Sequence, residues 1–201
     1  MTQSNQTRPL AQSKPSNFNL PNVLTSLRIV MIPLFAWLVL RGDGIYTSWM
    51  WWATAVFALL MFTDKLDGDI ARKRGLITDF GKIADPIADK ALMITALVCL
   101  NLTGQLWVIA TVLIVVRELG ITLWRMLQLR QGNVVPASRG GKVKTVLQTV
   151  AVGLYLIPIP QWMVWVQALV MTAAIVVTLL TGVQYLLAAR QLRDGARRRR
   201  R

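Results

Sequence analysis

Six of the chain's nine acidic residues fall between Asp64 and Asp89, in a protein whose formal net charge is +14. Four of them, Asp64, Asp67, Asp85 and Asp89, follow the spacing D-x2-D-G-x2-A-R-x8-G-x3-D-x3-D. Crowding like charges into one short stretch costs repulsion energy unless something positive binds there. A divalent cation is the ligand such a cluster points to. The chain contains no histidine, so oxygen atoms must hold any metal, which favours Mg2+ or Mn2+ over zinc. For the same reason any general base must be Asp, Glu, Lys or Tyr. Cys99 is the only cysteine and sits in an apolar segment, which excludes an intrachain disulfide.

The elements that carry these carboxylates are apolar. The chain of 201 residues is 54% hydrophobic with a mean hydropathy of +0.48, pointing to a single membrane domain. Runs long enough to cross a bilayer, roughly 20 residues, recur near 22–41, 48–72, 83–102, 105–128, 143–159 and 162–189. They predict an all-α integral membrane protein of six transmembrane helices. A soluble helical bundle is the competing architecture, but these segments have hardly any polar face to turn toward water. Residues 1–18 read as a flexible polar extension, 19–190 as the membrane domain and 191–201 as a basic tail. No short apolar stretch with a cleavage site precedes the first span, so a cleaved secretory signal is not expected.

Lys and Arg set the orientation. Arg8, Lys14 and Arg28 stand at the start, Arg72, Lys73, Arg74 and Lys82 around the second connection, and Arg130, Arg139, Lys142 and Lys144 around the fourth. The alternate connections hold only Arg41. By the positive-inside rule both termini and the Asp-rich connection face the cytoplasm. The terminal Arg run suits an anionic leaflet better than a nucleic acid, and no nucleic-acid partner is expected.

Asp64 and Asp67, three apart, share one helix face, as do Asp85 and Asp89, four apart. A short connection, Lys73–Gly81, makes the two helices antiparallel neighbours and brings both pairs to one membrane depth. Four carboxylates can then hold one or two divalent ions. Gly68 and Gly81 leave room where a ligand or the facing helix comes close. Taken singly, each Asp has a plainer explanation. Asp85 before Pro86 could start a helix as N-cap and N1, Asp64 could pair with Lys65 or Arg72, and Asp69 and Asp79 could be solvated charges.

The stretch Asp64-Lys-Leu-Asp67-Gly68-Asp-Ile-Ala71-Arg72, with Gly81 and Asp85-Pro-Ile-Ala-Asp89, resembles the signature of the CDP-alcohol phosphotransferases at every motif position. The resemblance implies a six-helix membrane fold, usually homodimeric; with the charge bias above, the expectation is an inner or plasma membrane protein whose active site faces the cytoplasm. It implies that Asp64, Asp67 and Asp85 ligate a pair of Mg2+ or Mn2+ ions, and that Asp89 joins them and accepts the proton. Gly68, Arg72 and Thr78 match positions contacting the CDP group. The residues suit that chemistry: an in-line displacement at a diphosphate needs its charge offset, the attacking alcohol needs a base, and Arg72 offers a planar fork of donors to phosphate.

The acceptor alcohol must be read elsewhere. Arg117, Glu118 and Arg125 lie in the fourth span, where ionisable residues face the bundle interior by default. Glu118 and Arg125, seven apart, point nearly the same way, and Arg117 lies about 80° from Arg125 around the helix. The plainer reading is a structural Arg–Glu pair with Arg125 reaching for the surface. Pro136-Ala-Ser138-Arg139-Gly-Gly-Lys142-Val-Lys144-Thr145 offers hydroxyls, cations and flexible glycines, suited to an alcohol already carrying a phosphate. As an alternative it is an ordinary basic connection. Asn19-Leu-Pro21-Asn22-Val-Leu-Thr25-Ser-Leu-Arg28, Val116-Arg117-Glu118, and Pro136-Ala-Ser138 with Gly141, Lys142, Lys144 and Thr145 resemble the bacterial family members that combine CDP-diacylglycerol with sn-glycerol 3-phosphate. Pro21, Asn22 and Thr25 are expected to line the CDP side, and Arg117, Arg125, Ser138, Lys142 and Lys144 are candidates to grip the glycerol phosphate as a hypothesis from their chemistry, not carried over from a motif. Competing readings are a sibling enzyme using inositol phosphate or phosphatidylglycerol, and a metal-ion transporter. The transporter would want its carboxylates near the bilayer midplane rather than at helix ends.

Overall fold

The computed structural model describes residues 19–42, 48–74, 78–130 and 139–198. They form six α-helices: α1 (Leu20–Gly42), α2 (Ser48–Arg74), α3 (Asp79–Leu102), α4 (Val108–Arg130), α5 (Arg139–Leu156) and α6 (Val164–Arg198). A 3-10 turn, Gln161–Met163, leads into α6. The order matches the six apolar runs, because each run is long enough for a helix and is bounded by Gly, Pro or charge.

Small residues let the helices approach closely. Ala53, Ala88, Ala96, Ala110, Ala151 and Ala174 are all buried, one or more on each of α2 to α6, as helices packing without a water-driven force require. Between them Phe35, Phe57, Leu92, Leu97, Ile114, Leu156 and Met171 fill one continuous core. Phe35 of α1 meets Phe57 of α2 with ring centroids 5.8 Å apart. Helix α1 lies against α2 and α3, while α5 lies against α6, which also packs on α4. The bundle therefore has two three-helix halves, joined through α2–α5, α3–α4 and α3–α5 contacts.

Buried hydroxyls and amides are satisfied inside the bundle, as an apolar surround demands. Thr54 Oγ1 lies 2.8 Å from both the Met50 carbonyl and the Leu156 carbonyl, tying α2 to the end of α5. Gln148 Nε2 donates to Thr178 Oγ1 at 2.8 Å, joining α5 to α6. The outer surface is apolar, with Leu27, Val30, Ile109, Val116, Leu169 and Leu180 among its exposed side chains.

Seven of the eight tryptophans, at 37, 49, 51, 52, 107, 162 and 165, are exposed. They lie near the end of α1 and at or just before the starts of α2, α4 and α6. In an up-and-down bundle those positions share one end. Trp37 and Trp49 pack edge to face at 5.3 Å, with the Arg41 guanidinium near both rings.

The structure departs from expectation at three places. The connection between α2 and α3 is shorter than Lys73–Gly81. Thr78 caps α3, its hydroxyl accepting from the Gly81 N–H at 3.0 Å, so Gly81 lies in the first turn. Asp85 and Pro86 therefore sit inside α3 instead of starting it. The segment after Ser138 is also helical: α5 begins at Arg139, and Gly140 to Thr145 form its first turns instead of a flexible loop. Finally, by length and composition only Leu20–Gly42 and Val164–Tyr185 qualify as membrane-crossing among the described residues. Charged residues within α2 to α5, including Arg117 and Glu118 midway along α4, lower the apolar character of those helices. The 1–18 extension lies outside the described residues, and α6 carries helix into the basic tail as far as Arg198.

Candidate active site

One cavity of about 760 Å3 opens where the ends of α2, α3, α4 and α5 meet, and Asp64, Asp67, Asp85 and Asp89 all line it. Asp64 and Asp67 come from the last turns of α2, and Asp85 and Asp89 from the early turns of α3. The like charges of Asp67, Asp85 and Asp89 all act on Asp64. Gly68 and Lys65 line the cavity beside them.

Behind this acidic wall stands the start of α1. Arg28 is 0% exposed, and its guanidinium forks between two carboxylates. Nη1 lies 2.6 Å from Asp64 Oδ1 and Nη2 lies 2.7 Å from Asp67 Oδ2. Arg suits this position because its planar fork reaches two carboxylates at once and it stays charged when buried. The Thr25 hydroxyl lies 2.5 Å from Asp85 Oδ1 and 3.1 Å from the Pro21 carbonyl. The Asn22 amide meets the Thr78 hydroxyl, with Nδ2 at 2.9 Å and Oδ1 at 3.0 Å. Gly81 makes that contact possible: a Cβ there would come within 2.9 Å of Asn22 Oδ1 and 3.3 Å of Thr78 Oγ1.

The opposite wall is cationic. Arg117, Glu118 and Arg125 of α4 and Lys142 and Lys144 of α5 line the same cavity, together with Lys90 of α3. Glu118 is their common partner. Its Oε1 takes Arg117 Nη1 at 2.8 Å and also receives Lys144 Nζ, while Oε2 pairs with Lys90 Nζ at 3.3 Å. Arg117 Nη2 donates to Thr181 Oγ1 of α6 at 2.8 Å, and its guanidinium lies 5.9 Å from the Tyr185 ring centre. The Arg117 stem passes beside Gly182, where a Cβ would stand in ordinary contact at 3.4 Å from Arg117 Cγ.

Most residues singled out from sequence thus gather around one cavity. Pro21, Asn22, Thr25 and Thr78 are buried behind the aspartates, where they support the wall. Ser138 and the Arg72 side chain lie outside the described residues. Sequence reasoning missed Arg28 as a partner of the aspartates, having read it as an orientation charge. The signal was present: Pro21, Thr25 and Arg28 recur at helical spacing on one face of an apolar segment. Lys90 and the central place of Glu118 were also missed, since nothing local links α3, α4 and α5.

Among the described residues no three acidic side chains converge closely enough to form a ready metal site. The donor set is nevertheless suited to hard divalent ions, being four carboxylates on one cavity with no nitrogen or sulfur ligand among them. Arg28 offsets only part of their charge.

The sequence pattern of the CDP-alcohol phosphatidyltransferases matches residues 18–180, most of the chain. The chain belongs to that family. It is 47% identical over 178 residues to a probable phosphatidylglycerophosphate synthase of Mycobacterium tuberculosis, covering 88% of this chain and 83% of that one. It is 36% identical over 151 residues to the CDP-diacylglycerol–glycerol-3-phosphate 3-phosphatidyltransferase of Bacillus subtilis, covering 70% and 77%. The Escherichia coli K12 enzyme of that name is 33% identical over 178 residues, covering 86% and 96%. The protein is therefore a CDP-alcohol phosphatidyltransferase, and such enzymes generally use divalent metals. The family pattern covers all four aspartates and both walls of the cavity as far as α5. In this phosphatidyltransferase the acidic wall comes from α2 and α3, with α1 behind it, and the basic wall mainly from α4 and α5.

Proposed function

We propose that this phosphatidyltransferase moves the phosphatidyl group of CDP-diacylglycerol to sn-glycerol 3-phosphate, giving phosphatidylglycerophosphate and CMP in phospholipid synthesis. The observation that carries this reading is the pairing of two unlike walls on one cavity. A wall of four carboxylates suits a cation-compensated diphosphate. A facing wall of Arg117, Arg125, Lys142 and Lys144 suits an alcohol that already bears a phosphate. The names of the three relatives support the same acceptor.

Asp89 lies on the acidic wall facing the cations, within reach of both substrates in such an arrangement. It takes the proton of the glycerol hydroxyl as that oxygen bonds to the lipid-side phosphorus. The bond from that phosphorus to the CMP oxygen breaks, and CMP leaves with the electron pair. Asp64, Asp67, Asp85 and Asp89 would hold Mg2+ or Mn2+, whose contribution is to offset charge on the diphosphate. Arg28 keeps Asp64 and Asp67 turned toward the cavity, and Thr25 does the same for Asp85. Arg72 and Gly68 serve the CDP group, and Ser138 joins Lys142 and Lys144 at the acceptor phosphate.

The protein lies in the cell membrane, with six spans and both termini in the cytoplasm, and works as a homodimer. Its exposed apolar flanks support the spanning reading, since soluble monomers rarely expose such continuous apolar surface. The exposed tryptophans support the same spanning reading. They cluster at the end opposite the charged cavity, as an interfacial belt does.

CMP release from CDP-diacylglycerol, measured against glycerol 3-phosphate, inositol phosphate, phosphatidylglycerol and neutral glycerol, tests the assignment. Turnover with glycerol 3-phosphate well above the others is expected. Turnover with another alcohol and none with glycerol 3-phosphate would replace the acceptor.

A further inference from the structure

Glu118 is the one acidic group on a wall otherwise built to attract anions, which on its face weakens that wall. Its geometry explains its presence. Lys90, Arg117 and Lys144 come from three different helices, α3, α4 and α5, and all pair with this single carboxylate. Without it, three cations crowded into a low-dielectric cavity would repel one another, and their long side chains would spread. With it, their nitrogens are held around a point the size of a carboxylate, close to that of a phosphate.

The Lys90 contact has a second consequence. Lys90 follows Asp89 directly in α3, whereas Glu118 belongs to the half of the bundle formed by α4, α5 and α6. The 3.3 Å pair between them therefore ties α3, the helix that carries Asp85 and Asp89, to the half of the bundle that carries most of the basic wall. Below it a narrow crevice runs between the same helices, lined by Met93, Leu97 and Ile114. Arg117 is anchored from behind by Thr181.

We infer that Glu118 is a positioning residue for the acceptor. Through Lys90, Arg117 and Lys144 it presets a phosphate-sized cluster of cations and sets that cluster's distance from Asp89. The inference rests on the proposal that the acceptor carries a phosphate, and it adds Glu118 and Lys90 to the residues that decide how that phosphate is received. A phosphate has more oxygens than a carboxylate and shares the cations instead of expelling Glu118. A neutral alcohol gains nothing from the cluster.

The test uses the full-length protein in proteoliposomes, with CDP-diacylglycerol and glycerol 3-phosphate varied separately. Glu118→Gln should raise the KM for glycerol 3-phosphate by about tenfold or more while the KM for CDP-diacylglycerol moves by less than about twofold. Glu118→Asp, too short to reach all three cations, should fall between. An acceptor KM that is unchanged or lower in Glu118→Gln overturns the inference, a lower value meaning that Glu118 merely competes with phosphate. Should Glu118→Gln fail to fold, Lys90→Gln removes the tie between α3 and Glu118 and leaves Glu118 two partners. It should raise the acceptor KM about three- to tenfold, with Lys90→Arg restoring most of it. No change in Lys90→Gln is likewise fatal. Absence of wild-type turnover with glycerol 3-phosphate would instead defeat the acceptor assignment, so the two failures are distinguishable.

Discussion

Arg28 and Asp67, thirty-nine residues apart, meet at 2.7 Å in the interior of the bundle, both almost wholly buried. The same guanidinium reaches Asp64 at 2.6 Å, so α1 holds two of the four signature carboxylates from behind. A buried charge that loses its partner costs about 3–5 kcal/mol, because neither water nor another ion replaces it. Arg28→Met should therefore lower stability by that order, read as denaturation in detergent followed by circular dichroism. Arg28→Lys keeps the charge but not the fork. It should fold and still lose at least about tenfold in turnover, a tenfold loss being about 1.4 kcal/mol of transition-state stabilisation. Wild-type stability in Arg28→Met would show that the pair is not part of the fold's support.

Gly81 sits where the Asn22 side chain of α1 comes close to the start of α3. A methyl group there would stand 2.9 Å from Asn22 Oδ1, forcing the Asn22–Thr78 contact apart. Gly81→Ala should cost about 1–3 kcal/mol by overpacking and raise the KM for CDP-diacylglycerol, leaving the acceptor KM nearly as it was. Normal kinetics in this variant would mean that the helix ends adjust freely.

Asp89→Asn removes the proposed base and changes little in volume. It should remain folded while turnover falls by about 10²–10⁴, the usual worth of a positioned base. Single-turnover measurement of CMP release checks this. Activity within a few-fold of wild type would assign the proton to another group.

Lys142 is exposed and lines the cavity on the acceptor side. Lys142→Ala removes the proposed contact with the acceptor phosphate, one made equally in ground and transition states. The acceptor KM should rise about three- to tenfold with kcat little altered. An unchanged KM would take Lys142 out of the acceptor site.

Chelation by EDTA should abolish turnover without altering helicity, and added Mg2+ or Mn2+ should restore it. Oxygen-only ligation predicts that Zn2+ restores it poorly. Full activity after exhaustive chelation would exclude the carboxylates as metal ligands.

Much of the fold was legible in sequence because the length of apolar runs, side-chain spacing and short connections are local properties. Asp64 with Asp67 and Asp85 with Asp89 share helix faces by spacing alone, and the six apolar runs match six helices to within a few residues at most ends. The errors lie at helix starts, where capping competes with composition. Thr78, not Asp85, caps α3, and the glycines before Lys142 are wound into α5. Chain composition could not anticipate either, because each depends on which backbone N–H finds a partner.

The sequence by itself determined that this is a helical protein of a known enzyme family and that four carboxylates stand in that family's signature spacing, since a motif needs no third dimension. Tertiary structure decided what stands behind and opposite those carboxylates. Arg28 becomes their buried counter-charge, and Glu118 gathers Lys90, Arg117 and Lys144, only once α1 lies against α2 and α3 meets α4 and α5. Which faces of distant helices meet is set by packing across the whole bundle, and no local window of residues contains that information.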